Sequence, residues 1–249
     1  MKTPSAERPL TSGNSAKLYC LQWIEQRVKT HETLTILDLG CGAARNFVLL
    51  LERYPGVKYV GIEPSASDCQ AARDNLAGHN ATIINAYAYD VFQQVNEQFD
   101  VVISFSVLEH VYQRQRYLDN ARDCLKPDGS FLINYDAGHF VHPRGAKERI
   151  KNRIGPILAR AGIEAYYQSF VPEDTFHAMI ERAGLEIVEM KSFNTALKGI
   201  HKLVPSHRQD EHMQRWLDYE LWLNNAEIPY RDALAGTWVT RNFILRRKP

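Results

Sequence analysis

The stretch Ile36-Leu37-Asp38-Leu39-Gly40-Cys41-Gly42-Ala43-Ala44 restricts the fold of this chain more than any other. An apolar, strand-like run carries an acid near its end, and two glycines one residue apart follow at once. Glycine has no Cβ and reaches φ > 0 freely, so a ligand can approach such a turn closely. The Asp38 carboxylate sets a negative charge beside that approach, which a phosphate-binding loop would avoid. The expected ligand is therefore a small molecule with a positive group near the glycines.

The rest of the chain reads as strands alternating with helices. Leu34–Leu39, Lys58–Glu63, Ala81–Asn85, Phe99–Phe105, Ser130–Tyr135 and Leu185–Phe193 are strand candidates, and Thr237–Arg246 reads as a last strand. Helical spacing joins Leu18, Leu21, Ile24 and Val28; Phe47, Leu50, Leu51 and Tyr54; and Tyr117, Leu118, Ala121 and Leu125. Ser65 to Asp68 is a capping-box-like start to a helix carrying Cys69, Ala72 and Leu76. Pro55-Gly56 ends one helix, Pro127-Asp128-Gly129 turns the chain into a strand, and Gly184 stops a helix over Glu173–Ala183. The unbroken apolar run Phe99–Phe105 suits a strand buried on both faces. This alternation predicts βαβ units, a parallel sheet and right-handed crossovers. The patterning falters over residues 137–170 and 194–230, apart from an amphipathic helix around Trp216, Leu217, Glu220 and Leu223. Neither stretch could build a core alone, so they read as lid insertions in one domain spanning 1–249, with 1–30 as a helical cap.

Composition narrows the function classes. Among 249 residues the net charge is +1, which gives no global argument for nucleic acid or a membrane surface. No run of 18 apolar residues is present, and the first residues do not read as a signal peptide. Cys20, Cys41, Cys69 and Cys124 are scattered without a C-x-x-C spacing, as in a reduced cytoplasmic protein.

In open α/β sheets a ligand sits at the carboxyl ends of the strands, where the strand order reverses. Asp38 and Glu63 stand at the first two such ends. An acid about twenty residues past the glycines suits a bidentate hold on two ribose hydroxyls, in nicotinamide-dinucleotide proteins and others alike. A dinucleotide would need a third glycine three residues after Gly42, where Arg45 stands, and Asp38 would repel its diphosphate. The pair Tyr54…Lys58 lies in the loop before the second strand and cannot serve a short-chain dehydrogenase.

With these residues in hand, the chain resembles the class I S-adenosylmethionine-dependent methyltransferases. The resemblance runs from Asp38-x-Gly40-x-Gly42 and Glu63 through Phe99-Asp100-Val101-Val102 to Val107-Leu108-Glu109-His110-Val111. It continues over Leu125-Lys126-Pro127-Asp128-Gly129-Ser130 and Ala183-Gly184-Leu185. It implies an α/β, doubly wound, mostly parallel seven-stranded Rossmann-like sheet, its last strand antiparallel, with helical lid insertions. It places Asp38, Gly40, Cys41 and Gly42 around the methionine part of S-adenosyl-L-methionine and Glu63, followed by Pro64, on the ribose. Ala86 and Tyr87 fall to adenine, and Ser104 and Phe105 to the methyl-donor side. Two positions depart from the pattern. Ala44 replaces a glycine, and Ala86-Tyr87-Ala88 stands where many relatives carry an acid for the adenine amine, so Tyr87 is read as a stacking or backbone contact. Cys41 reads as a small loop filler rather than a nucleophile.

Methyl transfer from a sulfonium is an in-line displacement, and a hydroxyl acceptor usually needs a base to take its proton. His139, just after the fifth strand, and His110, near the end of the fourth, are the candidates. His142 and Arg144 are assigned to the acceptor. Asp136, His139 and His142 could be read as metal ligands, but no further ligand cluster joins them and no metal is expected. Residues 137–160 hold Arg144, Lys147, Arg149, Lys151, Arg153 and Arg160, and a second basic set is Lys198, Lys202, Arg208 and Arg215. These predict a small anionic acceptor, O- or N-methylated, against the alternative of a solvated helix face. The rival readings are an RNA or other nucleic-acid methyltransferase, which the neutral charge disfavours, and a non-catalytic S-adenosylmethionine-binding protein. No membrane partner is expected, and a homodimer stays open.

Overall fold

The computed structural model describes residues 10, 12, 14–31, 33–89, 91–136, 146–164, 167–194, 198–226 and 240–249. Its elements in chain order are α1 (Ser15–Thr30), β1 (Thr35–Leu39), α2 (Val48–Arg53), β2 (Lys58–Glu63), α3 (Ala66–Asn75), β3 (Ala81–Asn85), α4 (Val91–Val95) and β4 (Phe99–Phe105). Then follow α5 (Arg114–Asp123), β5 (Leu125–Asp136), α6 (Ala146–Arg160), α7 (Glu173–Arg182), β6 (Leu185–Phe193), α8 (Lys198–His201), α9 (Gln209–Asn224) and β7 (Thr240–Arg247).

The strands form one seven-stranded sheet ordered β3-β2-β1-β4-β5-β7-β6. β1 to β5 run parallel, and β7 is antiparallel to both β5 and β6. The order reverses between β1 and β4, and the crevice expected of such a reversal opens at their carboxyl ends.

Strand side chains alternate faces, which divides the core in two. Ile36, Ile103, Leu132 and Ile244 pack with Leu18, Leu21 and Ile24 of α1, Leu50 and Leu51 of α2, and Leu217 of α9. Leu37, Val102, Ile133 and Phe243 pack on the other face with Leu118 and Ala121 of α5 and Phe176 and Ile180 of α7. The run Phe99–Phe105 is apolar because both of its faces are covered.

Local sequence explains the element starts. The Asn14 side chain accepts from the amides of Ala16 and Lys17, capping α1, and the Ser65 hydroxyl accepts from Asp68 to cap α3. α9 packs beside α1, where Gln22 Nε2 donates to Gln214 at 2.6 Å and the Ser15 hydroxyl donates to the buried Glu220. This part of the 194–230 segment therefore forms a helical layer on one face of the sheet.

Three stretches differ from the sequence reading. Leu125 opens β5 instead of closing α5, so Pro127-Asp128-Gly129 lies within the strand at a register shift opposite Phe99–Val101. A Cβ on Gly129 would stand 2.9 Å from the Phe99 carbonyl, so only glycine fits that bulge. α4 has five residues, too few for a periodic signal, and α6 lies in a segment read as irregular, with Pro156 in its interior. Residues 237–239 of the expected last strand lie outside the described residues. No helix among the described residues is long and apolar enough to cross a membrane.

Phe243 on β7 is 1% exposed and meets Phe176 and Tyr135, at ring centroids 4.8 and 6.0 Å away. Phe243→Ala should remove about 3–5 kcal/mol of stability, read as a lower denaturant midpoint with an unchanged slope. An unchanged midpoint would show that this face does not hold the sheet together.

Candidate active site

The turn after β1 is pinned before any ligand arrives. Gly40 and Cys41 both donate their amides to the Ile62 carbonyl, at 2.8 and 3.0 Å, which bends the chain across the end of β2. Gly40 has φ +86°, and a Cβ there would lie 2.5 Å from Val107 Cγ2. The position therefore needs glycine for both conformation and space. Ala44 takes the same left-handed region at φ 52°, at a cost of about 1–2 kcal/mol for a residue with a Cβ. Cys41 packs over Gly61, where a Cβ would sit 2.7 Å from its sulfur. Burial pushes the Cys41 thiol well above its ordinary range, which leaves it a filler and no nucleophile.

Behind this turn Asp38 is 4% exposed. Its Oδ2 accepts from the Tyr59 hydroxyl at 2.7 Å, while Oδ1 has no hydrogen-bond partner among the described residues. Burial raises its pKa from 3.8 to about 7, against the opposing pull of the Tyr59 hydrogen bond. Glu63 is held differently. Its Oε2 accepts from the Gly42 amide at 3.0 Å and its Oε1 from the Ser65 amide at 2.9 Å, so backbone donors fix the carboxylate.

A cavity of about 340 Å³ opens beside these groups. Of the residues expected from sequence, Gly40, Glu63, Pro64, Tyr87 and His110 line it. Asp38, in β1, and Cys41 and Gly42, in the turn, are not part of its lining. Ala86 donates its amide to the Glu63 carbonyl and leaves the lining to Ala88 and Tyr89. Ser104 and Phe105 do not line the cavity. The fully buried Ser104 hydroxyl accepts from Tyr117 at 2.7 Å, and Phe105 stacks on Phe47. His139, His142 and Arg144 lie outside the described residues.

Sequence reasoning missed Tyr89, Val107, Val111, Tyr117, Glu164 and Tyr167, all in the lining. Tyr117 carried the helical period of α5 and read as core. Glu164 and Tyr167 come from the segment after α6, which docks where Ser169 donates its amide to the Glu109 carbonyl and Arg114 donates to the Ser169 carbonyl at 2.6 Å. No local signal announces that return. His110 lies in a short 3₁₀ turn after β4, its Nδ1 3.3 Å from the Tyr167 carbonyl.

Residues 37–131, from β1 to β5, match the model of a family described as a methyltransferase domain. Over this part of the sheet the chain is similar to the class I S-adenosylmethionine-dependent methyltransferases. It is 28% identical over 173 residues to a ubiquinone biosynthesis O-methyltransferase of Nitrobacter winogradskyi, covering 63% of this chain and 58% of that one. It is also 24% identical to a trans-aconitate 2-methyltransferase of an Azoarcus species, covering 83% and 84%. The chain spans only about 40% of the length of several further ubiquinone biosynthesis O-methyltransferases that it matches. The same fold appears in an O-methyltransferase from a polyketide synthase multienzyme of Brevibacillus brevis, in complex with S-adenosyl-L-homocysteine. The TM-score is 0.55 at 16% identity, over 94% of this chain and 76% of that one.

The residues around this turn fit S-adenosylmethionine on their own chemistry. The orphaned, buried Asp38 oxygen suits an ammonium or the hydroxyl and amide donors around one. The Glu63 carboxylate keeps acceptor capacity for ribose hydroxyls beyond its two backbone bonds.

A cation bound near Asp38 favours the charged carboxylate, so above pH about 7 the ligand meets an ionised group and below it a proton must first leave. Affinity for S-adenosylhomocysteine should therefore fall as pH drops below about 7, with proton release visible as a buffer-dependent heat. Asp38→Asn should lower the affinity and flatten both dependences; a wild-type affinity flat from pH 6 to 8 would contradict this account. Gly40→Ala should cut the same affinity by more than about tenfold, because the new methyl must displace Val107 and adopt a disfavoured φ. Calorimetry showing near wild-type binding would mean that the turn tolerates a side chain.

Proposed function

We propose that this protein moves the methyl group of S-adenosylmethionine to a small-molecule acceptor, by O-methylation in preference to N-methylation, and that the acceptor is anionic. The observation that carries the first part is the buried Asp38 with one unsatisfied oxygen behind a glycine turn, beside the fixed Glu63. This pairing suits a cationic, ribose-bearing ligand and disfavours a diphosphate. The preference for oxygen draws on the relatives named as O-methyltransferases. The anionic acceptor draws on the relative named for trans-aconitate and on the sequence cluster around Arg144 after β5. Arg208 and Arg215 do not add to it, since both pair with Glu211 on the surface of α9.

When bound, S-adenosylmethionine supplies an electrophilic methyl carbon on a sulfonium. The part of the protein is then to orient the acceptor in line and exclude water from the cavity. His110 is the candidate base for a hydroxyl acceptor. It lines the cavity, and its Nδ1 stands 3.3 Å from the Tyr167 carbonyl, which orients the ring at the cavity wall. His139 is a second candidate, and His142 and Arg144 are assigned to the acceptor. Residues 137–170 are proposed to form the lid on that side, in a cytoplasmic protein.

Turnover on paired neutral and anionic analogues tests the acceptor class, with anionic acceptors expected to react at least about tenfold faster in kcat/KM; equal rates would end the anionic reading. His110→Gln should lower kcat about a hundredfold on a phenol at neutral pH and leave a carboxylate acceptor, already deprotonated, largely unaffected. Equal losses on both would make His110 a positioning residue. Label appearing in nuclease-sensitive material would favour a nucleic-acid acceptor, and no label at all a binding protein.

A further inference from the structure

The cavity carries a second carboxylate that methyl transfer does not need. Glu164 follows α6 and lines the cavity with Tyr87, Tyr89 and Tyr167. Tyr89 holds it there by donating its hydroxyl to Glu164 Oε2. The same hydroxyl accepts from the Gln113 amide at 3.4 Å. The Tyr89 ring is fixed in turn, stacked on Tyr87 at 6.2 Å between centroids and 5.6 Å from the Arg116 guanidinium.

A carboxylate engaged by one hydroxyl retains further lone pairs and offers acceptors only. Among the described residues, the cavity lining contains no lysine or arginine. Tyr87, 51% exposed, presents an aromatic surface beside it. Flat aromatic surface with an acceptor-only group suits a planar heterocycle bearing an exocyclic amine, the ring stacking and the amine donating. From Ala86 to Tyr89 the chain after β3 carries no carboxylate, and Asp90, the next residue, lies outside the described residues.

We propose that Glu164 accepts a hydrogen bond from the 6-amino group of the adenine while Tyr87 and Tyr89 pack on the base. The segment after α6 is then both a wall of the base pocket and the source of its specificity for amino over oxo purines. This inference rests on the reading of the cavity as the S-adenosylmethionine site.

The test is calorimetric, with S-adenosylhomocysteine and S-inosylhomocysteine, in which a carbonyl replaces the amine. Wild-type protein should favour the adenosyl ligand by about tenfold or more. Glu164→Ala should weaken the adenosyl ligand about tenfold and change the inosyl ligand by less than about twofold. Tyr89→Phe keeps the ring but releases the carboxylate, and it should move the same ratio in the same direction by less. A purely structural role would weaken both ligands alike; that result, or no change in either, overturns the proposal and leaves the cofactor assignment standing. If wild-type protein binds neither ligand, both fall together.

Discussion

A carboxylate buried behind a left-handed turn is the constraint on which the rest of this site depends. Burying Asp38 with one hydrogen bond is costly for its charged form, and the fold accepts that cost at the centre of the sheet, where β1 pairs with β2 and β4. The neighbouring backbone is also strained. Gly40, Gly42 and Ala44 after β1, and Ser106 after β4, all take positive φ. Two of these four carry a Cβ. Strain of this kind persists only where the surroundings over-determine it. Here the Ile62 carbonyl fixes one side of the crevice through Gly40 and Cys41, while Ser106 is fixed on the other by its amide and hydroxyl to Asn134, at 2.8 and 3.2 Å. The crevice is therefore shaped by the sheet itself, before any lid contributes.

That central part was legible in the amino-acid sequence because its signals are local. β2, β3, β4 and β6 fall on the residues their apolar runs predict, and the seven-stranded order with an antiparallel β7 matches the family resemblance. The misses share a physical cause. Leu125 keeps the helical period of α5 but belongs to β5, since the bulge around Gly129 lets the strand begin before the turn residues that ordinarily precede one. α6 hides because Gly155 and Pro156 interrupt its pattern and its isoleucines point outward: Ile150, Ile154 and Ile157 are all exposed. Among the site residues, Asp38 and Glu63 were visible from spacing. Glu164 and Tyr167 were not, because no periodicity encodes a segment folding back onto the end of a strand more than fifty residues earlier.

The two elaborated segments do different work, although both read alike as irregular insertions. The end of the first returns to the crevice and contributes Glu164 and Tyr167, tied down through Arg114 and the Glu109 carbonyl. In the second, α9 joins α1. Glu220 accepts from Ser15 and from the Asn194 amide, and Asn224 and Ser192 exchange hydrogen bonds at 2.8 Å. Burial raises the Glu220 pKa above the ordinary carboxylate range, and its partners only partly offset this. Such a group reinforces the layer on α1 rather than meeting a ligand.

A chain of buried hydrogen bonds connects that layer with the edge of the crevice. Asn242 on β7 donates to the Ala16 carbonyl of α1 at 2.7 Å and accepts from Asn134 on β5, and Asn134 in turn accepts from the Ser106 hydroxyl. Each link is a side-chain amide with little room to rotate without leaving a buried donor or acceptor unsatisfied. Ser106, with its positive φ, is thus linked by hydrogen bonds through Asn134 and Asn242 to the Ala16 carbonyl of α1. Buried hydrogen bonds of the sheet fix the residues that edge the crevice after β4. The same sheet recurs in solved structures of widely different names, so the fold by itself leaves the acceptor undecided.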